Sequence, residues 1–247
     1  RLPKSVERTY PTPEQLRFGG DSPVLIVSGS IGLMPIVQRL GIPDRINYLD
    51  PFRLGPWTRE ASVACFDQLA TSVRLSIEDG VAGAVYDALG IGIPHHVQSF
   101  FARLREHAIM ENHRRVPIAD VQKVYRTGLL GPSGQSDLAH YETRLRDALD
   151  DGSRALAMEV LAEAATQHVF TAAARIRLSE LYSRVVEDAR DRITEVLDVL
   201  LHDGYLEEED RGYRFSFRLL KDWWAARFRD YHVPIERRSL NGPERPV

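Results

Sequence analysis

The sequence predicts a mostly α protein with an α/β fragment near its start and a small β element near its end. Three observations carry that expectation. Pro23–Leu33, PVLIVSGSIGL, is a continuous apolar run closed by Ser28-Gly29-Ser30, the pattern of a strand buried on both faces. Apolar residues elsewhere recur at helical spacing, as at Ile193, Val196, Leu197, Leu200 and Leu201. Tyr213, Phe215 and Phe217 alternate with Arg214, Ser216 and Arg218, a period-2 strand with one aromatic face. A doubly buried strand needs partners on both edges. Nothing before Pro23 supplies them, so the expectation is the back half of something larger, in keeping with a start at Arg1.

Composition narrows the classes. With 247 residues, 43% hydrophobic and 27% charged, the chain can bury one sizeable core or two modest ones. A net charge of −3 gives no global pull toward nucleic acid or an anionic membrane. The single cysteine, Cys65, excludes a disulfide framework and a Cys-based zinc site, and reads as a buried reduced thiol. No run of about 18 apolar residues occurs, so no membrane span is expected and the cytoplasm is the expected compartment.

Residues 1–22 read as a loose lead-in ending at Gly19-Gly20-Asp21. After the strand, Met34–Leu40 is a helix or turn stopped by Gly41 and Pro43. A helix is expected over Thr58–Val73, a second over Val81–Leu89 closed by Gly90, and a third from Pro94 with Val97, Phe100, Phe101 and Leu104 on one face. Ile118–Tyr125 is a further short helix. Gly131-Pro132-Ser133-Gly134 reads as a linker, with a domain boundary there. Helices follow over Tyr141–Leu149, Ala155–Thr166, Thr171–Tyr182 and Val186–His202, the last stopped by Gly204. An acidic turn, Glu207–Arg211, leads into the aromatic strand, and a final helix carries Leu219, Leu220, Trp223, Trp224 and Phe228. The tail from His232 reads as frayed. Helices followed by a hairpin-like wing make a winged helix-turn-helix.

Several of these groups resemble AAA+/STAND-type P-loop ATPases, in particular the prokaryotic archaeal-ATPase-like group. Val24–Ser30 resembles their sensor-1 strand, and Tyr48-Leu49-Asp50-Pro51-Phe52 the segment leading from sheet to lid. Gly90-Ile91-Gly92-Ile93-Pro94-His95-His96-Val97-Gln98 is similar to their Gly-x-Pro lid motif, and His202–Leu206 through Trp223-Trp224 to their C-terminal winged helix. The resemblance implies residues 1–56 as the incomplete carboxyl end of the nucleotide-binding sheet, 57–130 as a helical lid, 135–231 as a winged-helix domain and 232–247 as a flexible tail. It implies ATP and Mg²⁺ as cofactors, bound mainly by a part absent from this sequence. It implies an upstream nucleotide-binding half as partner, self-association or a protein partner, and a role as a nucleotide-driven switch in defence or mobile-element systems. The sequence departs from the family in having no G-x-x-x-x-G-K-[ST] and no acidic strand end to hold Mg²⁺.

The resemblance makes Ser30, and after it Ser28, candidates to face the γ-phosphate or attacking water; the plainer reading is that they cap the next helix. It lays Gly92, Ile93 and Pro94 against the adenine ring, where the plainer reading is an ordinary turn before a helix. Arg103 and Arg105 are candidates to reach phosphates, against a plainer reading as surface arginines. Arg39, Arg45 and Arg53 are unranked candidates for intersubunit fingers. His95, His96, His107 and His113 lack a metal-binding spacing and read as surface and core histidines. The exposed positions of the Val186–His202 helix alternate in sign and the wing tip is acidic, which disfavours duplex binding. Two alternatives stay open: a non-enzymatic winged-helix DNA-binding regulator, and a catalytically inactive partner-binding scaffold.

Overall fold

The computed structural model describes residues 54–239, the side chains of residues 133 and 135 excepted. Chain contacts divide the protein into two compact units, Arg1–Gly55 and Pro56–Val247, and the described residues fall almost wholly in the second. The strand expected at Pro23–Leu33, and with it Ser28 and Ser30, lies outside the described residues, as do Arg39, Arg45 and Arg53. The described residues are mostly helical, with a small three-stranded antiparallel sheet. No helix among them is long and apolar enough to cross a membrane.

Helix α1 (Arg59–Ser72) starts where the Thr58 hydroxyl accepts the Ala61 N–H, and it buries Phe66 and Ala70. Helix α2 (Val81–Leu89) is bounded by two glycines in the left-handed region, Gly80 at φ +88° and Gly90 at φ +76°. Helix α3 (Pro94–Met110) begins on a proline, whose missing N–H falls where a helix has no partner for it. It buries Val97, Phe100, Phe101 and Leu104, the face the spacing predicts, together with His96 and His107. Helix α4 (Ala119–Val124) continues directly into a π-helical turn, Tyr125–Leu129, where the Leu130 N–H reaches back five residues to the Tyr125 carbonyl at 3.1 Å.

Gly131–Gly134 is not a linker. Pro132 is the first residue of helix α5 (Pro132–Ala148), and the glycines serve close packing rather than freedom. A Cβ on Gly134 would stand 2.1 Å from the Leu129 carbonyl oxygen, and one on Gly131 2.1 Å from that of Thr127. The buried side chains before and after this stretch belong to one hydrophobic cluster.

Helix α6 (Asp151–Gln167) is capped by Asp150, which accepts from the Ser153 N–H at 3.0 Å, and so starts earlier than the apolar pattern. Strand β1 (Phe170–Thr171) precedes helix α7 (Ala172–Tyr182), and helix α8 (Ala189–His202) follows after a loop. Strands β2 (Leu206–Glu209) and β3 (Gly212–Phe215) form a hairpin, and the sheet order is β1-β3-β2. Glu207–Glu209, expected in a turn, are therefore in a strand. The Arg214 guanidinium lies across them, 2.5 Å from the Glu207 carboxylate and 3.4 Å from that of Glu209, so the ladder tolerates the acidic run. Phe217 stands just outside β3 as the extended residue before helix α9 (Arg218–Phe228).

The core is continuous. Trp224 is fully buried and Trp223 2% exposed, as their spacing after Leu219 and Leu220 predicts. Cys65 is half-buried and free. The stretch after α9, expected to fray, is pinned as far as Ser239. A 3₁₀ turn (Ile235–Arg237) places Ile235 at 0% exposure, its N–H donating to Glu163 Oε2 at 3.0 Å. His232 pairs with the same buried carboxylate, and Arg238 bonds Glu159 at 2.7 Å.

Candidate functional site

The loop between α2 and α3 is where the sequence-predicted contact residues Gly92, Ile93 and Pro94 lie. Its shape follows from three residues. Gly90 closes α2 in a conformation that other residues adopt only with strain. Gly92 is gripped from one side: the Trp57 N–H donates to its carbonyl at 2.8 Å, and a Cβ would sit 2.2 Å from the Trp57 oxygen and 2.5 Å from Ser62 Oγ. Ile93, at φ −76° and ψ 119°, has the extended backbone that a following proline imposes. Ile93 and Pro94 are half-buried, leaving part of an apolar surface open to solvent.

Behind the loop, α3 carries His95 outward and His96 inward. The His96 ring lies 5.6 Å from that of Phe217 and 6.3 Å from that of Tyr141, and its Nδ1 has no hydrogen-bond partner. Burial, helped by the neighbouring His95 and His140, pushes its pKa down to about 4. His96 is therefore a neutral ring wedged among aromatics. Burial alone also pushes the Tyr141 phenol up to about 12.

Arg103 does not join the loop. It is nine residues along α3 from Pro94, about 14 Å at 1.5 Å per residue. Its guanidinium pairs with Asp137 of α5 at 2.8 Å, and Ser99 donates to the same carboxylate oxygen at 2.9 Å. Burial pushes the Asp137 carboxyl up, but the Arg103 and Ser99 hydrogen bonds outweigh it and hold the group below its ordinary value. Arg105 is exposed. An anion seeking Arg103 must compete with an ion pair that also ties α3 to α5.

A second polar cluster lies at the other end of α3. Asp120 Oδ2 stands 2.9 Å from His113 Nδ1 and 3.5 Å from His107 Nε2, joining α3, the following loop and α4. Among the described residues no group of three or more His, Cys, Asp or Glu is arranged to hold a metal ion. A third network crosses between distant segments. Tyr125 donates to Asp222 Oδ2 at 2.8 Å, Arg218 Nε donates to the same oxygen at 3.3 Å, and the guanidinium lies 5.3 Å above the Tyr125 ring. Burial, then Asp222, push the Tyr125 phenol upward.

Asp188, just before α8, and Arg190, Asp191, Glu195 and Asp198 on it are exposed, while Arg192 is engaged by Asp150 at 2.9 Å. An open groove of about 470 Å³ at the start of this helix is lined by Ser179, Ser183, Val186, Asp188, Ala189, Arg190 and Asp191. A smaller one, about 310 Å³, lies between α7 and the hairpin tip, along Glu208, Glu209 and Asp210. Neither is lined by a residue that the sequence singles out for nucleotide contact.

The partners Trp57, Asp137 and Asp222 are absent from the sequence reading. Tyr125 and Asp222 are 97 residues apart, and no periodicity or spacing joins two such positions. Trp57 had one usable signal: a large aromatic immediately before a Thr N-cap, facing a Gly-x-Gly loop. No family model matches the chain, nor does any curated protein or any solved structure.

Proposed function

We propose that residues 57–231 are the helical lid and winged helix of an AAA+/STAND-like ATPase that uses ATP as a conformational switch. The observation that carries this reading is the order of elements from α6 onward. Helix, strand, two helices and a hairpin follow one another, with β1 beside β3 and β2 at the outer edge. A winged helix would have its elements in this order, which supports the domain that the sequence resemblance implies. The same resemblance puts a nucleotide base against Ile93 and Pro94, whose partly open apolar surface suits an aromatic ring. Phosphates and Mg²⁺ would be held by a Gly-rich loop that this sequence does not contain, with Ser30 and Ser28 facing the reacting phosphate. Arg103, already paired with Asp137, fits the role of a lid strut better than that of a phosphate ligand. The partner in this reading is the upstream nucleotide-binding half of the same protein. The test is an ATP titration of the full-length protein: saturable, Mg²⁺-dependent binding is expected, and no binding would end the proposal.

The acidic exposed face of α8 favours a second reading, a catalytically inactive scaffold that docks a protein partner there. It ranks above a DNA-binding regulator, because carboxylates at Asp188, Asp191, Glu195 and Asp198 repel phosphates at the surface a winged helix presents to a groove. Duplex binding that weakens steeply with salt would reverse that order; retained ATP binding would exclude the scaffold.

A further inference from the structure

The loop carrying Gly92–Pro94 is held between two parts of the chain, and the second is as tight as the first. Trp57 and Ser62 grip Gly92 from the side of α1. Two residues earlier, Gly90 presses on the start of α9: a Cβ there would stand 2.9 Å from the Arg218 backbone nitrogen and 3.0 Å from its Cβ. Arg218 is the first residue of α9 and shares Asp222 with Tyr125 of the π-helical turn. From there α9 runs into the C-terminal core, where the Trp224 ring lies 6.2 Å from that of Phe215 in β3. Phe217, next to Arg218, closes a second route back to α3 through His96, ring to ring at 5.6 Å. The α2–α3 loop thus touches the start of α9 directly, across more than a hundred residues of chain.

We propose that the Gly90–Arg218 contact is a mechanical relay: a displacement of the 90–94 loop shifts the N-terminus of α9, and α9 carries it to the β1-β3-β2 sheet. The glycine is what makes the relay possible, because any side chain at position 90 would push the two segments apart. The Tyr125–Asp222–Arg218 network holds α9 in the receiving position. Coupling of this kind is reciprocal, so loosening α9 loosens the loop. The proposal rests on the ATPase reading only for what moves the loop; the relay itself needs no nucleotide.

Hydrogen exchange on the full chain, read by mass spectrometry, separates the relay from simple destabilisation. Gly90→Ala and Gly80→Ala introduce the same backbone strain at the two ends of α2, but a Cβ at Gly80 meets only Ile118 Cδ1, at 3.6 Å. Gly90→Ala is expected to speed exchange about tenfold in residues 218–228 and also in the strands at 206–215, whereas Gly80→Ala leaves both as in the parent. Unchanged exchange in 206–215 with Gly90→Ala, whether or not 218–228 responds, overturns the relay. Should Gly90→Ala fail to fold, Asp222→Asn reads the same coupling in reverse. Faster exchange at 57–62 and 90–94 together with 218–228 supports it, and faster exchange in 218–228 alone overturns it. No ATP enters these measurements, so a protein that does not bind ATP leaves the relay standing, and a failed relay leaves the ATP reading standing.

Discussion

Lowering the pH from 7 to 5 should destabilise this protein through His96. The ring is 3% exposed, and burial lowers its pKa from 6.5 to about 4. The unfolded chain takes up a proton as pH falls through 6.5, and the folded chain resists until about 4. The depressed folded value means that stability is fully present above 6.5, is lost on acidification, and levels off below 4. At pH 5 the linkage relation gives a loss of about 2 kcal/mol, and the limiting loss is about 3 kcal/mol. Either is a large share of the roughly 5–15 kcal/mol that holds a typical protein folded. The assay is urea unfolding of the parent and of His96→Leu at pH 7 and pH 5. The parent should lose about 2 kcal/mol more than the variant between the two. Titrating groups that do not interact with His96 contribute equally to both proteins and cancel in the difference. Parallel losses, or a His96 imidazole titrating near 6.5 in the folded parent, would refute the reasoning.

Three more outcomes follow from the packing. Tyr125→Phe removes the donor to Asp222 and should cost about 1–3 kcal/mol in urea unfolding, because it leaves a partly buried carboxylate under-bonded. Ile235→Ala should cost about 2–5 kcal/mol and make the 232–239 stretch a site of limited proteolysis, which a frayed tail would already be in the parent. Gly134→Ala should destabilise, since its Cβ meets the Leu129 oxygen at 2.1 Å, whereas Gly152→Ala in α6, whose nearest neighbour is a side-chain oxygen at 3.4 Å, should raise stability by about 0.4–1 kcal/mol. Thermal or chemical melts of the pair check both signs.

The helices were legible where apolar spacing and end signals agree. Val81–Leu89 and the Pro94 start are in place because Gly90 and Pro94 act through their own backbone chemistry, which needs no distant partner. The errors came where a residue's usual role was overruled by what it packs against. Gly131 and Gly134 look like a flexible hinge in sequence, yet neighbouring carbonyls occupy the space a side chain would need. Glu207–Glu209 look like a turn until Arg214 is across from them. Strand β1 is two residues long and exists only because β3 is there to pair with Phe170 and Thr171. Around the candidate loop, the glycines and proline were visible in the sequence. The contacts of Trp57 and Arg218, which hold that loop from two other segments, were not, since contact between remote segments leaves no local pattern.

The wide turn at Tyr125–Leu129 has a consequence for how this chain can be edited. A π turn accommodates one more residue than the α-helical path it replaces. Removing one amino acid there would let the segment close as an ordinary α turn, so the change is taken up locally and the path into α5 is kept. Asp137 would stay with Arg103, and Tyr141 with the aromatic group around His96. Length at this point is therefore forgiving in one direction: loss of one residue, like an exchange of Arg126 or Thr127, both facing solvent, should leave the packing of α5 in place.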